Sequence, residues 1–136
     1  MGVKKTNTWR FNWQASTPAP YVPNAGGQTQ SGVLTGAMAS TNVIYSNIQD
    51  VRNTDNQGLE ISWTGTAVGT IEVQGSTSGT NFYSLTFNPV LTQPAGTAGG
   101  YLIDLNQFPW PYLMIKYTNA SGSGSLTAWL CSKDVN

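Results

Sequence analysis

Histidine is absent from this sequence of 136 residues, and cysteine occurs only once. Without histidine, the chain lacks the commonest metal ligand and the one side chain that ordinarily titrates near neutral pH. Nucleophile pairs of the serine–histidine and cysteine–histidine kinds are therefore excluded. The single cysteine, Cys131, excludes an intramolecular disulfide. Because Cys131 lies in the apolar run Trp129-Leu130-Cys131, we expect a buried and unreactive thiol.

Charge is also scarce, at 9% of the residues, and six basic side chains balance six acidic ones. Nucleic-acid-binding proteins neutralise phosphates with a basic surplus, so we expect no nucleic-acid partner here. Ser, Thr, Asn, Gln and Gly take the place of the Lys, Glu and Arg that cover exposed helix faces, which favours strands and turns. No apolar run approaches the ~20 residues of a membrane-spanning helix, and we expect no membrane partner.

No set of catalytic residues can be recognised in the sequence. A glycine-rich phosphate loop between a strand and a helix is lacking. Glu60 and Glu72 lie on the polar sides of predicted strands, where we expect them to be solvated near Lys116 rather than to form the carboxylate pair of a glycosidase. We therefore predict a protein that is not an enzyme and that has no catalytic residues, no cofactor and no metal.

From residue 33 onward, apolar side chains recur at every second position. Examples are Leu59, Ile61 and Trp63; Ile71 and Val73; Tyr101, Ile103 and Leu105; Leu113, Ile115 and Tyr117; and Leu126, Ala128 and Leu130. This period of two is typical of strands with one buried face, and no window has the periodicity of an amphipathic helix. Short segments rich in Gly, Asn and Ser separate the strands and supply the positive-φ positions of hairpin turns.

The pattern predicts an all-β fold, an antiparallel β-sandwich or jelly roll of seven to eight short strands. The strands are predicted at residues 33–38, 42–48, 58–64, 70–75, 81–87, 100–105, 112–118 and 125–132. Residues 33–136 would form this domain. Residues 1–32, in which three prolines occur in a polar background, would form an extended N-terminal arm.

The predicted arm carries large aromatic side chains that bury ~150–250 Å² each when they pack. Its candidate partner-binding residues are Trp9, Arg10, Phe11 and Trp13. Two interpretations are open at this point. The segment completes the sheet of its own domain, or it crosses to a neighbouring subunit and adds a strand there.

Two prolines exclude the segment Phe108-Pro109-Trp110-Pro111 from the middle of a strand. We expect a corner there, with Phe108 or Trp110 packed over the end of the core. Trp110 and Tyr112 are candidate surface or ligand contacts, because sugar rings stack on exposed aromatic side chains. Tyr83 and Trp129 are further candidates for such a surface.

Two stretches of the sequence carry recognisable strand and turn motifs. The first runs from Trp63-Thr64-Gly65 to Leu85, and in it the strand Ile71-Glu72-Val73-Gln74 leads into the hairpin Ser76-Thr77-Ser78-Gly79-Thr80-Asn81-Phe82. The second is Pro111-Tyr112-Leu113-Met114-Ile115-Lys116-Tyr117-Thr118 with the glycine–serine hairpin that follows it. Together they cover roughly residues 58–133 and resemble small structural proteins of bacteriophage virions. Ser78 stands where an acidic turn residue is common in these proteins, and Phe82 stands where tryptophan is common. The resemblance implies a β-sandwich that serves in capsid decoration, in a head fibre or near the tail.

We accordingly predict a virion structural protein, a capsid decoration or cement protein that contacts other virion proteins and other copies of itself as a homo-oligomer. The residues after Met1 lack the apolar core of a signal peptide, so we expect synthesis in the host cytoplasm and a place in the virion. The alternative is a receptor- or carbohydrate-binding module of a phage fibre or tail.

Overall fold

The computed structural model of the chain describes residues 5–15, 34–39, 43–52, 57–86, 98–105 and 108–134. Strands are the regular structure of these ranges, and they form two antiparallel sheets that pack as a sandwich, which confirms the predicted all-β class. The strands are β1 (Lys5–Arg10), β2 (Trp13–Ala15), β3 (Gly36–Ala39), β4 (Val43–Ser46), β5 (Gln49–Asp50), β6 (Gly58–Gly65), β7 (Val68–Ser76), β8 (Tyr83–Ser84), β9 (Gly99–Asp104), β10 (Tyr112–Ser121) and β11 (Ser123–Asp134). No helix that could cross a membrane occurs in these ranges.

Each sheet is built around one long strand. In sheet A the strands lie in the order β9, β6, β11. Strands β1 and β3 both pair with the edge of β11 that faces away from β6. In sheet B the strands lie in the order β8, β7, β10. Strands β4 and β5 both pair with the edge of β10 that faces away from β7, and β2 pairs with the outer edge of β4. The long strands β10 and β11 follow each other in the chain and lie in different sheets, so their connection joins the two layers.

The core lies between the sheets and consists of the side chains that the period of two directs inward. Leu59, Ile61, Leu113, Ile115 and Leu126 are at most 1% exposed. Leu59 has Leu130 and Ile103 as its cross-strand neighbours, and Ile115 has Val73; contacts of this kind make strand alternation stabilising. At the end of the sandwich Phe108 packs against this core, as predicted for the corner at residues 108–111.

The eight strands predicted from residue 33 onward are all present with shifted ends, but one predicted loop is mostly strand. Residues 118–124 are rich in Ser and Gly, and we expected a connecting loop there. Instead β10 runs to Ser121, β11 starts at Ser123, and the chain turns at Gly122, whose φ is +71°. Ser121 and Ser123 occupy exposed strand ends, and Asn119 is a buried strand residue, so the composition of this segment overestimated the length of the loop.

The N-terminal segment is part of the sandwich over residues 5–15. β1 pairs with β11 in sheet A, β2 pairs with β4 in sheet B, and the chain crosses between the sheets at Phe11 and Asn12. Asn12 and Asn47 hold the crossing: the Asn12 N–H donates to Asn47 Oδ1 at 2.8 Å, and the Asn47 N–H donates to the Asn12 carbonyl at 2.8 Å. Of the predicted arm at residues 1–32, residues 1–4 and 16–32 lie outside the described residues, and over residues 5–15 the chain pairs with its own sheets, which is the first of the two interpretations.

Candidate functional site

The outer face of sheet A carries a row of four side chains across its strands. Leu102 of β9 pairs with Glu60 of β6, Glu60 pairs with Trp129 of β11, and Trp129 pairs with Arg10 of β1. Directly opposed residues project from the same face of a sheet. Leu102 is 84% exposed and Trp129 is 37% exposed, so this row presents apolar surface to solvent.

A second row beside it has a gap in its middle. Asp104, Gly58, Cys131 and Thr8 are aligned across the same strands, and Gly58 has no side chain to fill the space between Asp104 and Cys131. A Cβ atom at Gly58 would lie 3.1 Å from Cys131 Sγ. The missing side chain leaves a depression of about 680 Å³, lined also by Leu102 and Trp129. We call this surface the sheet A groove.

Cys131 corrects one prediction, because it is exposed on this face and not buried. Its neighbour Leu130 is 1% exposed and points into the core. Because side chains alternate along β11, Cys131 faces outward together with Trp129. The prediction was wrong because it relied on the apolar composition of residues 129–131. The sequence pattern itself carried the signal for the correct face.

The four candidate residues of the predicted arm are divided between the core and the outer face. Phe11 is 0% exposed and Trp13 is 2% exposed, both within the core of this chain. Trp9, the pairing partner of Leu130, packs against the same core. Arg10 lies on the outer face, where its guanidinium is 5.4 Å from the centroid of the Trp129 ring. In this chain the segment completes its own sheets, and the three rings pack against the core without a second subunit.

A second concave surface lies at the end of sheet B. Gly75 of β7 pairs with Tyr83 of β8 on one side and with Leu113 of β10 on the other, so these three residues share one face of the sheet. A Cβ atom at Gly75 would lie 3.3 Å from Phe108 and 3.5 Å from Trp110. Trp110 therefore packs over Gly75, and Tyr83 lies beside Gly75 on the neighbouring strand. Together they line a depression of about 450 Å³, which we call the Tyr83–Trp110 groove.

One side of the Tyr83–Trp110 groove is formed by the turn after β7, and Ser84, Leu85 and Thr86 also line it. Ser76 Oγ accepts hydrogen bonds from the N–H groups of Ser78 and Gly79, at 3.2 and 2.9 Å. Ser78 Oγ accepts the N–H of Thr80 at 3.2 Å and that of Asn81 at 3.3 Å. Serine side chains form such local turns readily, and Gly79 supplies the positive φ, at +84°. The turn that carries the polar lining is therefore fixed by its own side chains.

Trp110 and Tyr112 were predicted together as surface contacts, but the structure places them on opposite sides of sheet B. Tyr112 pairs with Ser76 on the outer side and packs with Ile48 and Met114. The Arg52 guanidinium lies 5.5 Å from the centroid of the Tyr112 ring. Tyr112 is thus half-buried among its neighbours, whereas Trp110 is 39% exposed in the groove.

Charged groups on sheet B pair with one another. A hydrogen bond from the Arg52 side chain lowers the pKa of Asp50. Lys116 Nζ lies 3.9 Å from Glu72 Oε2, as expected for Glu72, and the Ser84 hydroxyl donates to Glu72 Oε1 at 2.6 Å. These charges are compensated locally, which leaves sheet B without a strong electrostatic patch in the part that the structure describes.

Glu60 and Glu72 lie on the outer faces of different sheets, so they do not face one cleft. Within the described ranges, no group of three or more His, Cys, Asp or Glu side chains is placed to hold a metal ion. That the chain is not an enzyme and has no cofactor stays a prediction.

Leu102 and Gly58 were missed by the sequence predictions. The sequence did contain a signal for Leu102. In the predicted strand, Leu102 lies between the inward-facing Tyr101 and Ile103, so an apolar side chain is expected to face solvent there. No signal in the sequence marked Gly58, because glycine also occurs in strands at bulges, at bends and where backbones approach closely.

No family model and no curated protein matches the sequence. Among solved structures, the chain is similar to a family two carbohydrate esterase from Cellvibrio japonicus, with 10% identity and a TM-score of 0.44 over 98% of this chain and 35% of that one. It therefore spans about a third of the length of the esterase chain. It is also similar to a cleaved adhesin domain of Lys-gingipain from Porphyromonas gingivalis, with 12% identity and a TM-score of 0.35 over 99% of both chains. At these values, neither likeness identifies a function.

Proposed function

We propose that this protein is a structural protein of a virus particle and decorates the capsid by binding the coat protein through the sheet A groove. The observation that carries the proposal is the exposure of Leu102, at 84%, and of Trp129, at 37%, on the same face of sheet A, where Glu60 lies between them. The resemblance of residues 58–133 to virion structural proteins supports the choice of partner. Localisation in the virion and assembly with other copies of the chain belong to the same proposal.

The edge of sheet A favours protein as the partner. Leu102 lies in β9, which is the last strand of sheet A within the described ranges, where it pairs with β6. Edge strands of this kind pair readily with another chain, and proteins usually protect them with charge or proline. β9 contains a single charged residue, Asp104, at its end.

The size of the apolar surface is suited to many weak contacts. Burial of a side chain such as Leu102 contributes ~1.5–3 kcal/mol, and Trp129 adds a comparable amount for the part that is still exposed. One such contact gives weak binding. A protein present in many copies on a particle gains strength from simultaneous contacts, so a modest surface per subunit is sufficient.

The test compares two variants of the full chain for binding to particles of the virus that encodes it, grown without this protein. Leu102→Asp places a charge in the centre of the proposed contact. Val68→Asp is the matched control, because Val68 is an exposed apolar strand residue, at 39%, in sheet B. Co-sedimentation measures binding, and circular dichroism verifies that both variants are folded.

We expect the unmodified chain and Val68→Asp to sediment with the particles, and Leu102→Asp to remain in the supernatant. If the unmodified chain does not bind the particles, the protein is not a decoration protein. If Leu102→Asp binds as well as the control, decoration is retained and the sheet A groove is the wrong surface.

A further inference from the structure

We propose that the Tyr83–Trp110 groove binds a neutral saccharide. This site lies in sheet B, apart from the sheet A groove, and the inference does not rest on capsid decoration. Its volume of about 450 Å³ falls in the range of ~300–1,000 Å³ that is typical of small-molecule sites. A short stretch of a polysaccharide, rather than a folded protein, suits a depression of this size.

The first step concerns the two aromatic side chains. Tyr83 is 74% exposed, and Trp110 is 39% exposed with its ring held edge-on by Phe108 at a centroid distance of 5.3 Å. Aromatic rings carry a large apolar face and, in Tyr and Trp, a polar group at the rim. Pyranose rings present one face of C–H groups, which stacks on such a surface. Both rings line the groove, and Trp110 packs over Gly75.

The second step concerns charge. The groove is lined by Gly75, Ser76, Thr77, Ser78, Asn81, Tyr83, Ser84, Leu85, Thr86 and Trp110, and every one of them is uncharged. A phosphate or a carboxylate ligand normally requires a cation or a cluster of N–H donors. Among the residues that the structure describes, this lining offers no cation, so the ligand that fits is neutral.

The third step concerns hydrogen bonding. Thr77, Asn81 and Thr86 have exposed side chains at the groove, and together they offer hydroxyl and amide groups that both donate and accept. Sugar hydroxyls have the same dual capacity. The turn that holds Thr77 and Asn81 is fixed by the Ser76 and Ser78 hydrogen bonds, so little conformational entropy is lost on binding.

The test is native gel electrophoresis of the full chain in gels that contain a polysaccharide. The neutral probes are amylopectin, hydroxyethyl cellulose, galactomannan, mannan and dextran. The acidic probe is alginate, and gels that contain serum albumin provide a protein probe. The variants are Tyr83→Ala, Trp110→Ala and Asn81→Ala, with Trp129→Ala in sheet A as the control that removes an exposed ring elsewhere.

We expect retardation by at least one neutral polysaccharide and none by alginate. Loss of one stacking ring, in Tyr83→Ala or Trp110→Ala, should weaken the affinity about tenfold, and Asn81→Ala should weaken it several-fold. Trp129→Ala should bind as the unmodified chain does. Because Tyr83 and Asn81 are exposed, their variants remain informative even if Trp110→Ala does not fold.

Three results would overturn the inference. The first is no retardation by any of the neutral polysaccharides. The second is retardation that Tyr83→Ala and Asn81→Ala leave unchanged, or that Trp129→Ala removes. The third is retardation in albumin gels that depends on Tyr83, which would assign the groove to protein.

Discussion

Replacement of Phe11 by alanine tests whether the N-terminal segment belongs to the core of its own chain. Phe11 is 0% exposed, lies where the chain crosses between the sheets, and has its N–H bonded to the Ala128 carbonyl at 3.0 Å. The substitution removes the ring and leaves a cavity between the layers. Substitutions of buried Phe by Ala cost about 3–5 kcal/mol, and we expect a value in this range.

This loss is large against the ~5–15 kcal/mol that stabilises a typical domain. Leu102→Ala is the matched control, because Leu102 is 84% exposed and its truncation should change the free energy of unfolding by no more than about 0.5 kcal/mol. Urea unfolding, followed by tryptophan fluorescence and circular dichroism, measures both variants. The difference between them isolates the contribution of burial.

The dependence on protein concentration separates folding within the chain from exchange between two chains. The comparison uses concentrations at which light scattering finds a monomer. If β1 and β2 pair within their own chain, the midpoint of unfolding of this monomer stays constant when the concentration is changed about twentyfold. A loss below about 1 kcal/mol for Phe11→Ala, or a folded state that exists only as a dimer, would refute the placement of this segment in the core of its own chain.

Three further predictions concern single residues. Gly122→Ala should lower the free energy of unfolding by at least ~1–2 kcal/mol, because Gly122 has a φ of +71° and the new methyl group would meet the Thr66 carbonyl. An unchanged midpoint of urea unfolding would contradict this. Ser46→Ala should lower the free energy of unfolding by ~1–3 kcal/mol, because Ser46 Oγ accepts a hydrogen bond from the buried Ile115 N–H at 2.8 Å. A smaller loss would show that this N–H group binds another acceptor in the variant. Burial raises the pKa of Tyr117, so the folded state resists loss of its proton and stability should fall as the pH rises above about 10, the value in the unfolded chain. Tyr117→Phe should unfold with a midpoint that is less sensitive to pH in this range, and an unaltered dependence would point to another group.

The alternation of apolar and polar side chains in the sequence was sufficient to predict most of the strands and their buried faces. Leu113, Ile115 and Tyr117 occupy every second position of β10 and are all 0% exposed. This outcome requires only that neighbouring residues of a strand face opposite ways, which is a local property of the extended backbone. The hairpin turns were also predictable, since Gly79 and Gly122 adopt backbone conformations that other residues rarely tolerate.

The sequence did not predict which segments of the chain pack against each face of a sheet. Met114 lies on the outer side of sheet B and is nevertheless 7% exposed, because it packs with Ile48 from the segment between β4 and β5. A period of two predicts which side a residue takes, but not whether a neighbouring segment covers that side. The three aromatic rings of the N-terminal segment are a second example, because two sheets were available to receive them.

Both candidate sites depend on register between strands that are distant in the chain. The sequence was sufficient to predict that Trp129 alternates with Leu130 and that Gly75 lies in a strand. Only the pairing of β6 with both β9 and β11 aligned Leu102 with Trp129, and only the pairing of β7 with β8 set Tyr83 on the face where Trp110 lies. The physical reason is that alternation is fixed residue by residue, whereas register is chosen by the sum of contacts across the whole sheet.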